Sequence, residues 1–196
     1  RGDTVFAATD SGLFRSVDAA RSWFALPSTQ SWGAVFDLKR SGQFEILAAG
    51  TEGAFASDDA GGSWRIFSPL PQAYVYELFV TKAGSIFLLT GKSLLRFIDK
   101  SSTGSVSLNG GVNAFRAPCQ DQSGNLYTVT VYGLLYCSSD DGLTWTSWNT
   151  GFNYTTGIAA SLDGQLFLGT EHNGVLSSRD GGHSWSPLAR QFPGVY

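Results

Sequence analysis

The chain of 196 residues is 42% hydrophobic and only 15% charged, so it has enough apolar content for a sizeable core. Its formal net charge of −3 argues against nucleic acid or an anionic membrane surface as a partner, because both require a broad cationic surface. No apolar run approaches the roughly 18 residues that a membrane-spanning helix needs. The sequence contains no methionine, so we expect it to be a processed or excised piece of a longer chain.

Short β-type runs recur along the chain at a nearly constant step. Five aliphatic or aliphatic–aromatic pairs are separated by 41, 40, 40 and 40 residues: Val5-Phe6, Ile46-Leu47, Ile86-Phe87, Leu126-Tyr127 and Leu166-Phe167. A period of this length is typical of stacked or radial repeats. We therefore divide the chain into five repeats of one domain, which cover residues 1–31, 32–71, 72–110, 111–151 and 152–196.

Each repeat is predicted to form a four-stranded antiparallel sheet, because its runs are short and separated by Gly and Asp turns. We name the strands A to D from the inner to the outer edge, and expect strand A at 34–39, 74–80, 112–117 and 155–160. No segment has a helical apolar stripe longer than two turns, so almost no helix is expected. Four-stranded units of about 40 residues that repeat radially form the blades of a β-propeller, which is the fold we predict.

A motif of the form Ser-x-Asp-x-Gly-x-Ser/Thr-Trp closes strand C of most repeats. Intact copies occupy 57–64, 138–145 and 178–185, and a further copy at 16–23 has Ala20 in place of Gly. The double step between the first two intact copies predicts another near residue 97. A degenerate copy is present there: Asp99 and Thr103 keep their places, but Phe97 replaces Ser and Gly104 replaces Trp.

We call these segments the Asp turns and interpret them as structural. An Asp side chain can accept hydrogen bonds from backbone N–H groups of its own turn, Gly can take a positive φ, and Trp can cover the turn. Calcium is the alternative, but each copy offers one carboxylate where a calcium loop needs several. We therefore expect no metal and no cofactor. The residues concerned are Asp18, Trp23, Asp59, Trp64, Asp140, Trp145, Asp180 and Trp185.

These turns resemble the Asp-box, or BNR repeat, of sialidases, sortilin-type receptors, xyloglucan hydrolases, a photosystem II assembly factor and many bacterial extracytoplasmic proteins. The Gly-Leu-Phe-Arg-Ser segment that begins at Gly12 is most similar to the bacterial secreted and sensor-like members. The resemblance covers the whole chain. It implies a β-propeller outside the cytoplasm, whose boxes lie away from the ligand face.

The residues favour a binding or scaffold function over catalysis. Glycoside hydrolysis needs two facing carboxylates, and most carboxylates outside the Asp turns fit exposed turns: Asp10, Glu52, Glu77, Asp121 and Glu171. The two histidines, His172 and His183, are too few for a metal cluster, and no nucleophile elbow or phosphate loop is present. A glycoside hydrolase of the sialidase or xyloglucanase type, or a fragment of one, remains the alternative.

Any ligand is expected on the face formed by the D–A and B–C loops, opposite the Asp turns. The aromatic and amide side chains of these loops suit a protein or carbohydrate ligand. The alternative is that polar loops and rings merely close the central channel. The candidate ligand-binding residues are Trp32, Tyr74, Asn113, Tyr132, Phe152, Tyr154, Glu171 and His172.

Three further expectations concern particular segments. The degenerate turn within 96–106 should still join two strands, but with higher mobility than the other turns. The C-terminal stub at 190–196 is too short to complete the first sheet, so we expect either a five-bladed ring with one three-stranded blade or an arc of a larger propeller. We favour the arc, with its open ends packed against more chain or a neighbouring subunit. Cys119 and Cys137 are either two half-buried thiols or a local disulfide.

Overall fold

A computed structural model describes residues 4–42, 46–67, 74–98, 105–109 and 115–188. The chain divides into two compact units, unit 1 at Arg1–Leu108 and unit 2 at Asn109–Tyr196. Both are built from short strands, and the described helix is a single 3-10 helix at Pro27–Trp32. No helix in these ranges is long and apolar enough to span a membrane.

Unit 1 contains three sheets whose strands follow one another in chain order. The first has three strands, β1 (Val5–Thr9), β2 (Gly12–Ser16) and β3 (Phe24–Ala25). The second has β4 (Val35–Lys39), β5 (Ile46–Gly50), β6 (Gly53–Ser57) and β7 (Arg65–Ile66). The third has β8 (Val75–Val80), β9 (Ile86–Thr90), β10 (Ser93–Phe97) and β11 (Ser105–Asn109), which ends at the boundary between the units.

Unit 2 contains two four-stranded sheets of the same order. One has β12 (Cys119–Gln120), β13 (Leu126–Val129), β14 (Leu134–Ser138) and β15 (Thr146–Asn149). The other has β16 (Thr155–Ala160), β17 (Leu166–Thr170), β18 (Gly174–Ser178) and β19 (Ser186–Pro187). The predicted all-β chain with almost no helix and with four-stranded antiparallel sheets is thereby confirmed.

Strand A matches its predicted position in repeats 2, 3 and 5 but not in repeat 4. There, the structure has an isolated bridge between Phe115 and Thr130 and then the short strand β12. Pro118 lies between the two, and it has no N–H to donate to the neighbouring strand. The prediction of a strand over 112–117 is therefore wrong at its end, and residues 112–114 lie outside the described part.

The cores lie between successive sheets. In unit 1, every residue of β5 and β6 is buried, because one face of their sheet packs against β8 and β9 and the other against the first sheet. Leu47, Leu78 and Leu88 belong to the same buried cluster. In unit 2, Leu135 of β14 packs with Leu166 and Leu168 of β17. Continuous rather than alternating apolar runs follow from this two-sided burial.

Strand A carries one extra residue in repeats 2, 3 and 5. The pairing of β4 with β5 skips Phe36, that of β8 with β9 skips Tyr76, and that of β16 with β17 skips Thr156. All three side chains are exposed. A bulge of this kind turns a side chain out of the regular alternation of the strand, so the inner strands present an additional residue to the solvent.

Two expectations about particular segments fall largely outside the described residues. Strands β10 and β11 are neighbours in one sheet, as expected for the degenerate third repeat, but the turn at 99–104 that joins them is not described. Residues 190–196, on which ring closure depends, are not described either.

Candidate ligand-binding surfaces

Trp32 belongs to the core of unit 1 and not to its surface. It ends the 3-10 helix and is 8% exposed. Its ring stacks on Phe55 at a centroid distance of 3.7 Å, and Trp64 contacts it edge-on at 5.2 Å. The loop prediction missed this burial because the short helix turns the side chain inward.

Tyr74, in contrast, lies in an exposed row of three aromatic rings on unit 1. Its ring centroid is 6.2 Å from that of Tyr76, which in turn is 6.0 Å from that of Phe36. Tyr74, Tyr76 and Phe36 are 54%, 45% and 45% exposed, respectively. Interplanar angles of 28° and 16° show that neighbouring rings are nearly parallel. The row joins the inner strands of two successive sheets, since Phe36 is in β4 and Tyr76 in β8.

Two carboxylates follow directly after the bulged aromatic residues. One oxygen of Asp37 accepts a hydrogen bond from the Leu78 backbone N–H at 2.9 Å, and the other accepts one from Leu38 N–H at 2.8 Å. Lys39 Nζ is 3.2 Å from Asp37 Oδ1. Partial burial, and then the negative charge of Asp37, raise the pKa of Glu77.

We name this region, formed by Phe36, Asp37, Tyr74, Tyr76 and Glu77, the inner-strand surface. Sequence reasoning singled out Tyr74 as a ligand-binding residue but missed the other two aromatic residues, because it placed them inside regular strands. The available signal was positional: Phe36 and Tyr76 are 40 residues apart, and each is followed by an acidic residue.

In unit 2, three loops that the sequence predicted to share one face do meet. The Tyr154 ring contacts the His172 ring edge-on, with the centroids 5.5 Å apart. Glu171 N–H donates to the Tyr154 carbonyl at 3.0 Å, and Thr155 N–H donates to the Val131 carbonyl at 3.2 Å. The loop of Tyr132 therefore lies beside the other two.

The remaining predicted ligand residues divide by exposure. Tyr132 and Tyr154 are 68% and 54% exposed, and Tyr154 takes a φ of 57°, which is uncommon for a bulky residue. Phe152 packs against the unit 2 core. Asn113 lies outside the described residues. The face in unit 2 thus consists of Tyr132, Tyr154, Glu171 and His172.

The four described Asp turns share one hydrogen-bond pattern. In the turn at 138–145, Asp140 Oδ1 accepts from the Ser138 hydroxyl at 2.7 Å and from Thr144 N–H at 2.9 Å. Asp140 Oδ2 accepts from the Thr144 hydroxyl at 2.6 Å, and Gly142 N–H donates to the Ser138 hydroxyl at 2.8 Å. The same bonds recur around the other three carboxylates, Asp18, Asp59 and Asp180.

These bonds stabilise the ionised form of each Asp-turn carboxylate. They lower the pKa of Asp18, Asp59 and Asp140 from 3.8 to about 2, with the hydroxyl of the last Ser or Thr as the largest cause, and they lower that of Asp180 further. Within the described residues, no group of three or more His, Cys, Asp or Glu side chains could hold a metal ion.

The tryptophans that follow the turns differ in environment. The indole N–H of Trp145 donates to the Gly142 carbonyl at 3.2 Å, and that of Trp185 to the Gly182 carbonyl at 3.0 Å. Trp64 packs against the core of unit 1, whereas Trp23 is 40% exposed. Two of the four indole rings therefore donate a hydrogen bond to the carbonyl of the Gly in their own turn.

The cysteines are free thiols on either side of a tyrosine. Cys119 of β12 pairs with Tyr127 of β13, and Tyr127 pairs with Cys137 of β14. Neighbouring strands lie about 4.8 Å apart, so two strand spacings exceed the roughly 7 Å limit for a disulfide. Burial raises the pKa of Cys119 to about 12 and also raises that of Cys137.

No protein-family model matches this sequence, and no curated protein is similar to it in sequence. Solved structures do resemble its fold. YCF48 bound to a D1 peptide has a TM-score of 0.68 at 15% identity, over 95% of this chain and 63% of that one. The extracellular domain of a one-component system from B. thetaiotaomicron has a TM-score of 0.71 at 18% identity, over 91% and 26%. The GH74 xyloglucanase from Xanthomonas campestris has a TM-score of 0.68 at 16% identity, over 94% and 37%.

The chain spans less than two thirds of each of these proteins. All three are β-propeller proteins of low sequence identity, and they include an extracellular domain. At such identities, the shared feature is the arrangement of the strands. The comparisons therefore show that this chain has the fold of β-propeller proteins.

Proposed function

We propose that this chain is a non-catalytic binding or scaffold module that acts outside the cytoplasm and recognises a protein or glycan through its exposed aromatic side chains. The observation that carries the proposal is the row of Phe36, Tyr76 and Tyr74. Amphipathic rings beside polar groups are typical of binding surfaces, because they give a large contact area at a low entropic cost. Three adjacent exposed rings are also more than the scattered single residues normal for a surface.

Two of the solved structures with a similar fold support the same proposal. One of them is an extracellular domain, and the other, YCF48, was solved with a peptide bound to it. This chain would bind its ligand on the inner strands and D–A loops of unit 1, and the loop face of unit 2 is a separate candidate surface. The rest of a larger chain, or a neighbouring subunit, would complete the assembly.

A glycoside hydrolase is the second candidate. The observation that favours it is that the pKa of Glu77 is raised, by partial burial and then by the negative charge of Asp37. Hydrolysis needs one protonated carboxyl group and one ionised carboxylate. The raised pKa of Glu77 beside Asp37 is a shift in the direction of the protonated acid. However, both Asp37 oxygens already accept backbone hydrogen bonds, and Lys39 contacts one of them. A carboxylate held in this way is poorly placed to attack a sugar or to activate water.

Parallel binding and hydrolysis assays separate the two candidates. The purified chain is incubated with glycan and peptide arrays, and the same glycans are analysed for cleavage products. We expect retention of at least one ligand class without cleavage, and a loss of retention in Tyr76→Leu. If the original chain cleaves a glycan and the Glu77→Gln variant does not, the chain is a hydrolase and not a binding module.

A further inference from the structure

The three aromatic residues of the inner-strand surface are exposed, and neighbouring rings do not cover one another. Centroid separations of 6.0 and 6.2 Å between nearly parallel rings indicate offset neighbours rather than a closed stack. Each of the three residues is about half exposed. The face of an aromatic ring carries a negative quadrupole, so three adjacent faces attract a cation.

Two acidic residues and one lysine lie beside the aromatic residues in β4 and β8. Lys39 contacts Asp37, whose oxygens also accept two backbone N–H donors. Glu77 has no hydrogen-bond donor among the described residues, and the charges that act on it are those of Asp37 and Lys39. Two carboxylates and one ammonium leave a net charge of about −1 at this place.

We propose that the inner-strand surface binds a lysine or arginine side chain of a peptide segment, with the aliphatic stem and the cationic head on the rings of Tyr76 and Phe36 and the charge paired with Glu77. This inference rests on the proposed function and assigns its ligand class. Cation–π contact favours a cation on these rings, and more strongly when the cation is desolvated, while Glu77 supplies a charge-assisted hydrogen bond.

Neutral and acidic ligands fit this surface less well. A neutral glycan can stack on the rings, but it leaves the excess negative charge uncompensated. An acidic glycan or acidic peptide is repelled by Asp37 and Glu77. A basic peptide can both contact the aromatic rings and compensate the negative charge.

The test measures binding of fluorescein-labelled peptides to the whole chain by anisotropy. The probes are a Gly-Ser peptide that carries two lysines and two arginines, its neutral counterpart with norleucine and citrulline at those positions, and an acidic counterpart. A neutral xylogluco-oligosaccharide is tested by calorimetry. The variants are Tyr76→Leu and Glu77→Gln, with Phe24→Leu and Asp58→Asn as matched controls, because these are an exposed aromatic and an exposed carboxylate elsewhere in unit 1. Circular dichroism melts establish that each variant is folded.

We expect the basic peptide to bind at least about tenfold more tightly than its neutral counterpart. Tyr76→Leu and Glu77→Gln should each weaken it by about three- to tenfold, while both controls bind like the original chain. Equal binding of basic and neutral peptides, or no effect of Glu77→Gln, overturns the inference. Binding of the oligosaccharide that depends on Tyr76 but not on Glu77 also overturns it, yet leaves the proposed binding function intact. If no peptide or glycan is bound, both proposals fail.

Discussion

Two consecutive residues of each described Asp turn have left-handed backbone conformations, but the surroundings of these residues differ from turn to turn. In the turn at 178–185, Gly181 and Gly182 have φ values of 73° and 94°. A Cβ on Gly182 would lie 2.3 Å from Leu135 of the preceding repeat. In the first turn, the equivalent residues are Ala19 and Ala20, with φ values of 58° and 69°, and both are exposed. The Gly of the motif is thus required by sheet-to-sheet packing as well as by its φ.

This difference predicts opposite effects for two small substitutions. Gly182→Ala should destabilise the chain by about 2–4 kcal/mol, because a left-handed alanine is strained and its methyl group displaces Leu135. Ala20→Gly should stabilise it by up to about 1 kcal/mol, since relief of strain exceeds the entropy cost of glycine in the unfolded chain. Urea unfolding measures both. Equal destabilisation by the two variants would contradict the assignment.

The carboxylates of the Asp turns make stability depend on pH in the acid range. Their pKa values are lower in the folded chain, about 2 for Asp18, Asp59 and Asp140, than the ordinary 3.8. A lowered folded pKa stabilises the fold above the unfolded pKa, and this contribution is lost as the pH falls from about 4 to about 2. The midpoint of thermal unfolding should therefore fall steeply across that window.

Asp140→Ala isolates one of these turns. It should lower the melting temperature by a few degrees at neutral pH. Its difference from the original chain should shrink as the pH falls from about 4 toward about 2, because the unfolded carboxylate is protonated first and the folded one then begins to be protonated. Melts by circular dichroism between pH 2 and 7 measure this convergence. A constant difference across that range would show that the stabilisation does not come from the ionised carboxylate.

At the scale of the strands, the alignment of β12, β13 and β14 determines the chemistry of the two thiols. Because Tyr127 separates Cys119 from Cys137, reduction should leave the melting temperature unchanged. The raised pKa of both thiols keeps them protonated near neutral pH, so a thiol reagent should react with the folded chain at least about tenfold more slowly than with the denatured chain. A loss of stability on reduction would indicate a disulfide instead.

The repeat period predicts strand A of repeats 2, 3 and 5 to within a residue, because the same strand recurs at the same phase of each repeat. It does not predict strand A of repeat 4, where Pro118 removes a ladder donor, nor the inward turn of Trp32, which depends on a 3-10 helix with no apolar period of its own. The aromatic row escaped prediction for a related reason. A bulge changes which side chains face the solvent, and the sequence marks it only by an aromatic residue followed by an acidic one that recurs after 40 residues, at Phe36 and Tyr76.

At the scale of the whole molecule, the four described Asp turns share one carboxylate geometry, so they would bind calcium together or not at all. Each described turn already supplies hydroxyl and N–H donors to both carboxylate oxygens. We therefore expect saturating calcium or EDTA to leave the melting temperature unchanged to within about one degree. Differential scanning calorimetry would record a rise of several degrees with calcium if the turns were ion sites instead.

The extra residue in the inner strands has a consequence for how such a chain can diversify. Positions 36, 76 and 156 stand outside the pairing with the next strand, so a change of side chain there leaves the ladder and the buried clusters intact. The residues found there, Phe, Tyr and Thr, already differ widely in size and polarity. These positions are therefore natural sites for a combinatorial library, in which new recognition specificities could be selected without redesigning the sheets that carry them.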